Sequence, residues 1–133
     1  MSIYVDEDSK VLVQGITGRE ASEKVPEMLD YGADVVAGVT PDKGGQEVHG
    51  VPVYDTVKEA LEINASVIYV PPRFAKGATF EALEAGIPFL NIITEHIPVR
   101  DTWEIHRKAS EKEAKIVGPT SVGIISPGKT RLG

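Results

Sequence analysis

The segment Gly15-Ile16-Thr17-Gly18-Arg19-Glu20-Ala21-Ser22 is the first in the chain whose residue types suit chemistry. It follows a run of β-branched residues and precedes a helix-like stretch. Its glycines would let the backbone approach a phosphate and aim N–H groups at it. The spacing is G-x-x-G, not the G-x-G-x-x-G of a dinucleotide fingerprint, so a glycine-rich turn without ligand stays open. A second segment, Val39-Thr40-Pro41-Asp42-Lys43-Gly44-Gly45, ends the next apolar run. Lys43 in its glycine-flanked turn reads as a phosphate contact, with a solvated surface lysine as the alternative. Asp42 keeps open an acid that holds the ribose hydroxyls of NAD.

Gly123-Ile124-Ile125-Ser126-Pro127-Gly128-Lys129-Thr130 satisfies the G-x-x-x-x-G-K-[ST] pattern of a P-loop. A P-loop needs a helix after the Lys-Thr pair, and only three residues follow it here, so the match lacks its context. The three histidines have no metal-ligand spacing. His106, three residues after Trp103 on a helix-like stretch, reads as a surface or packing residue, and His49 carries no assigned role. His96 lies just beyond a strand-like run. An exposed loop histidine is the plainer account of it.

These segments need a frame to bring them together. Continuous β-branched runs at Val11–Gln14, Asp34–Val39, Ser66–Val70, Pro88–Ile93 and Lys115–Val117 suit strands buried on both faces. Helix-like stretches lie between them at Ser22–Tyr31, Thr56–Ile63, Phe74–Ala85 and Asp101–Glu113. Thr56-Val57-Lys58-Glu59 and Asp101-Thr102-Trp103-Glu104 have the form of helix starts, and Gly32 and Gly86 that of stops. Val51–Tyr54 reads as a short edge strand because Pro52 cannot donate to a ladder. The stretch from Gly118 to Gly133 reads as loop, either a wrapped terminus or a linker. The alternation predicts one three-layer α/β Rossmann-like domain over residues 1–133, with about five parallel strands. In such a sheet ligands bind beyond the carboxyl ends of the strands, here Gly15–Ser22, Thr40–Gln46, Pro71–Phe74, Thr94–Pro98 and Gly118–Val122. All the unusual clusters fall in those loops.

Bulk properties agree. The chain has 133 residues, 41% hydrophobic and 26% charged, which suits one folded domain. A formal net charge of -6 argues against nucleic acid as a partner. The absence of cysteine excludes disulfides and thiolate chemistry. No apolar run is long enough to span a membrane, and the acidic N-terminus lacks the regions of a signal peptide, so a cytoplasmic location is expected.

Several strings, in order along almost the whole chain, together resemble the succinyl-CoA synthetase α subunit, in its N-terminal CoA-binding domain. They are Gln14–Glu20, Ala37–Pro41 with Lys43-Gly44-Gly45, Val51–Asp55, Ile68–Pro72, Ile93-Thr94-Glu95 with Ile97-Pro98, and Ile116–Pro119 with Ser126-Pro127-Gly128. The resemblance implies coenzyme A as ligand. It assigns phosphate and nucleotide contacts to Thr17, Gly18, Arg19, Glu20 and Lys43. It assigns contacts near the adenine and the pantetheine arm to Val70, Pro71, Ile93, Thr94 and Glu95. It also implies a ligase β subunit as partner, and a phosphohistidine domain that this chain lacks, so the chain alone is not expected to complete the ligase reaction.

Four departures from that family stand out. Ala21–Pro26 replaces a stretch with glycine, an aromatic and a histidine, and Pro26 should delay or kink the helix start. Asp42 replaces a glycine beside Lys43 and should weaken CoA binding. His96 replaces glycine after Thr94-Glu95. Thr120-Ser121-Val122 stands where Asn-Cys-Pro is usual. The last two place a new serine and a new histidine at neighbouring strand ends. An altered or engineered domain in which Ser121 and His96 act as a hydrolytic pair on activated esters is therefore a second expectation. Glu95, next to His96 in an extended segment, should point the opposite way and not orient it. A subunit-interaction module without activity is the third.

Overall fold

The computed structural model describes residues 5–133. In chain order the elements are β1 (Lys10–Gln14), α1 (Arg19–Tyr31), β2 (Asp34–Val39), β3 (Glu47–Val48), β4 (Val51–Tyr54), β5 (Ala65–Ile68), α2 (Pro72–Glu84), β6 (Phe89–Ile92), α3 (Val99–Glu111), β7 (Lys115–Val117), β8 (Ile124–Ser126) and β9 (Thr130–Leu132). The main sheet has the order β3-β4-β2-β1-β5-β6-β7. Every pair in it is parallel except β3 with β4. Parallel pairing requires crossovers, and α1, α2 and α3 supply three of them.

Side-chain alternation divides the core between the two faces of the sheet. Val11 and Val13 of β1 point to one face, where Val25 and Met28 of α1 and Leu132 of β9 pack on them. Leu12 points to the other, under Leu83 of α2 and Ile105 of α3. The three layers are thus α1 with the β8–β9 hairpin, the sheet, and α2 with α3. Burying a side chain such as Leu12 or Met28 contributes about 1.5–3 kcal/mol.

Four local expectations need correction. The helix expected over Thr56–Ile63 is a single 3₁₀ turn, Val57–Glu59. Thr56 Oγ1 meets the Glu59 carboxylate instead of capping backbone, and the Val57 N–H donates to Glu81 Oε2 of α2 at 2.8 Å. A tertiary partner has taken a donor that a longer helix would have had to leave to water. Helix α1 begins at Arg19 and runs through Pro26, which neither delays its start nor ends it. Helix α3 begins at Val99, so Asp101 is a first-turn acid and not the cap. Residues after Gly118 are not all loop: β8 and β9 form an antiparallel hairpin. Its turn consumes the P-loop-like string, with Lys129 N–H bonded back to the Ser126 carbonyl at 2.9 Å and Thr130 fully buried.

Strand β4 is also one place in from the sheet edge, because the two-residue β3 pairs outside it. Pro52 lies opposite Glu47 in that short ladder.

Candidate functional site

A cleft of about 1080 Å³ opens at the carboxyl ends of β1, β2, β5 and β6. It lies where the chain order reverses: from β1 the sheet grows one way to β2 and β4, and the other way to β5 and β6. Crossovers leaving β1 and β5 go to opposite faces there, so a crevice forms between them. Gln14 at the end of β1 is fixed in the floor. Its Nε2 donates to the Ala78 carbonyl at 2.8 Å, and its Oε1 accepts from Ser66 Oγ at 2.7 Å.

The loops around the cleft are tied to one another. Gly15 has a φ of +84°, and a Cβ there would stand 3.0 Å from the Val70 amide nitrogen, so only glycine lets the β1 turn lie against the β5 turn. Thr17 Oγ1 donates to Thr40 Oγ1 at 3.0 Å, joining the β1 and β2 loops. Thr94 Oγ1 donates to the Val70 carbonyl at 2.7 Å, joining the β6 and β5 loops. The result is a cleft whose walls are bonded pairwise.

Thr17, Gly18, Arg19 and Glu20 form one wall at the start of α1. Gly18 is the N-cap, and no side chain caps this helix. The first-turn amides of a helix have no partner within it, so they are donors available to a ligand at a positive dipole end. Val70 and Pro71 form a second wall, and Ile93, Thr94 and Glu95 a third. Thr40 and Pro41 line the cleft but Lys43, two residues further on, does not; its side chain is exposed.

The cleft also takes Tyr69, Arg73, Phe74 and Glu81, to none of which the sequence assigns a contact, although Arg73 and Phe74 fall in the expected ligand loop Pro71–Phe74. Helix α2 starts at Pro72, two residues before the expected start at Phe74, so Arg73 belongs to its first turn. A Pro-Pro pair before an apolar periodic stretch was the available signal, since proline favours the first helical position. Tyr69 carries a hydroxyl that is buried and without a hydrogen-bond partner among the described residues. Burial, reinforced by the nearby Glu20 carboxylate, pushes that hydroxyl well above the ordinary tyrosine range. Two arginines face three glutamates around the lining, so its fixed side-chain charge is slightly negative. Arg19 is drawn outward, 3.4 Å from Glu23, with its side chain 94% exposed.

Ser121 and His96 are not joined by a hydrogen bond among the described residues. Ser121 Oγ accepts from the Gly123 N–H at 3.0 Å, and Ser121 is not part of the cleft lining. His96 lines the cleft, but its Nε2 lies 3.8 Å from Glu95 Oε2, so these neighbours do not point in opposite directions. The reason is backbone: His96 has a φ of +62°, and strand alternation does not carry through a left-handed residue.

The model of the CoA binding domain family matches residues 6–96. The ADP-forming succinate–CoA ligase subunit alpha 1 of Archaeoglobus fulgidus is 53% identical over 136 residues, covering 100% of this chain and 47% of that protein. The ADP-forming sulfoacetate-CoA ligase subunit SqwL of Acholeplasma sp is 48% identical over 136 residues, covering 100% of this chain and 46% of its own length. The chain thus spans about half the length of the curated relatives it matches. Among solved structures, ATP citrate lyase from Methanothrix soehngenii in complex with citrate and coenzyme A superposes with a TM-score of 0.86 at 24% identity, over 98% of this chain and 24% of that one. That likeness establishes the fold.

Proposed function

The chain belongs to the CoA binding domain family, and on that premise we propose that its cleft binds coenzyme A with the phosphates at the start of α1. The observation that carries the reading is the uncapped N-terminus of α1, at the point where the strand order reverses. The Arg19 and Glu20 amides would bond the pyrophosphate oxygens, since those of Thr17 and Gly18 already donate to Thr40 Oγ1 and the Gly15 carbonyl, and the Arg19 side chain would leave Glu23 to join them. Thr40 and Pro41 would flank the adenosine, with Lys43 reaching back from its exposed loop to a phosphate. The pantetheine arm would run along Val70 and Pro71 towards Ile93, Thr94 and Glu95. A mostly apolar wall with a few fixed polar groups is what such an arm requires.

In a protein as long as its relatives, this domain would present the CoA thiol for joining to an acid, with ADP formation and a ligase β subunit as partner. CoA is then a substrate, not a resident cofactor. Titration calorimetry with CoA tests the binding step on this chain alone. Saturable binding is expected, with Lys43→Ala weakening it by about 1–3 kcal/mol through loss of a charge-assisted contact. No heat at millimolar CoA, or tighter binding of NAD than of CoA, would remove the proposal.

A further inference from the structure

Of the five arginines in the chain, four have a carboxylate partner: Arg19 with Glu23, Arg100 with Glu104, Arg107 with Glu111, and Arg131 with Glu27. Arg73 has none among the described residues. Its guanidinium lies instead 4.7 Å from the centroid of the Phe74 ring. Both residues line the cleft, and Phe74 is 53% exposed.

The placement of Arg73 runs against local preference. It is the second residue of α2, where the helix dipole disfavours a cation, and α2 has no acid in its first turn to offset it. Cleft electrostatics supply a reason for a cation there. Glu20, Glu81 and Glu95 line the cleft, and Arg19 is engaged outside with Glu23. A ligand with several phosphate charges therefore gains from a second cation on the facing wall, one that has no ion pair to break first. Helix α1 and helix α2 lie on opposite faces of the sheet, so their first turns confront each other across the crevice.

We infer that Arg73, held on the face of Phe74, binds the pyrophosphate of CoA from the α2 side while the first-turn amides of α1 hold it from the other. This rests on the CoA reading above and adds to it a residue that neither the turn motif nor the family resemblance assigned. A guanidinium offers a planar fork of N–H donors that matches two phosphate oxygens at once. The ring beneath it limits the conformations that must be given up on binding.

The test is calorimetry on the full chain and its Arg73→Ala, Arg73→Lys and Phe74→Ala variants, each titrated with CoA and with dephospho-CoA, which keeps the pyrophosphate but lacks the 3′-phosphate. Arg73→Ala should weaken both ligands alike, by roughly tenfold or more, with a shallower dependence of affinity on salt. Arg73→Lys should recover part of that loss, because it keeps the charge without the fork. Phe74→Ala should fall between Arg73→Lys and the wild type. An unchanged thermal midpoint will show that each variant is folded; Arg73→Lys carries the test if the alanine variant is not.

Equal affinity of wild type and Arg73→Ala for both ligands would overturn the inference while leaving the CoA reading intact. A loss confined to CoA would move Arg73 to the 3′-phosphate and overturn the pyrophosphate assignment. Failure of the wild type to bind either ligand would remove the CoA reading itself, and the inference with it.

Discussion

His49 Nε2 lies 2.8 Å from the carbonyl oxygen of Ser22. That carbonyl is the one left without a helical partner by Pro26, four residues on, which has no N–H to give. The ring nitrogen must be the donor, since a carbonyl only accepts. A histidine from the turn between β3 and β4 thus supplies the hydrogen bond that the helix interior lacks, and α1 passes through its proline.

His49→Ala should therefore destabilise the fold by about 0.5–1.5 kcal/mol, the usual net worth of one hydrogen bond. Pro26→Ala restores an amide at the right place, so the cost of losing His49 should shrink in that background. Denaturant unfolding of the two single variants and the double variant measures the coupling directly. Additive effects would show that the two residues act independently.

Gly38 is the fifth of the six residues of β2, and a Cβ built there would fall on the side chain of Ile16. Ile16 is itself fully buried beneath the start of α1. Gly38→Ala should cost about 1–3 kcal/mol by overpacking. Combining it with Ile16→Val should recover part of that cost and restore the denaturant midpoint towards that of Ile16→Val alone. A Gly38→Ala variant as stable as the wild type would show that Ile16 moves aside freely.

Helices α2 and α3 are joined by Lys76, whose Nζ lies 2.9 Å from Glu104 Oε2, while Arg100 Nε lies 3.2 Å from Glu104 Oε1. The hydrogen bond from Lys76 holds the Glu104 carboxyl below the usual carboxylate range, and the same bond raises the Lys76 ammonium. The depressed carboxyl contributes stability above its unfolded-state value, and this is lost as pH falls through its folded-state value. The raised ammonium contributes stability below its unfolded-state value, lost as pH rises through its folded-state value. The difference in thermal midpoint between wild type and Glu104→Gln should be level around neutrality and close in acid. A difference that persists unchanged at about pH 3, below the ordinary carboxylate range, would assign the effect to packing.

An organophosphate probe should leave Ser121 unlabelled. Its hydroxyl accepts from the Gly123 amide and has no hydrogen bond to a base among the described residues. Labelling detected by peptide mass spectrometry, and lost in His96→Ala, would reinstate the serine–histidine pair.

The layer order, the five principal strands and the end of the sheet that carries the cleft were legible in the sequence. Each depends on local patterning: β-branched runs mark strands buried on both faces, and glycine-rich turns mark the strand ends. Thr17 to Glu20 could be placed at the cleft because a glycine-rich turn between strand and helix is contiguous in sequence. Pro71–Phe74 could be placed at a strand end, but that Arg73, Phe74 and Glu81 face the start of α1 could not, because they reach the cleft from α2, on the other face of the sheet, and only the reversal of strand order brings those two helix starts together. The helix expected at Thr56 yielded to a carboxylate 24 residues away, and His49 found its role on a carbonyl 27 residues away. Local patterning determined most of the strands and helices and where the glycine-rich turn lies. The tertiary structure alone decided which side chains converge, because hydrogen bonds and charges act through distance in space and carry no trace of it along the chain.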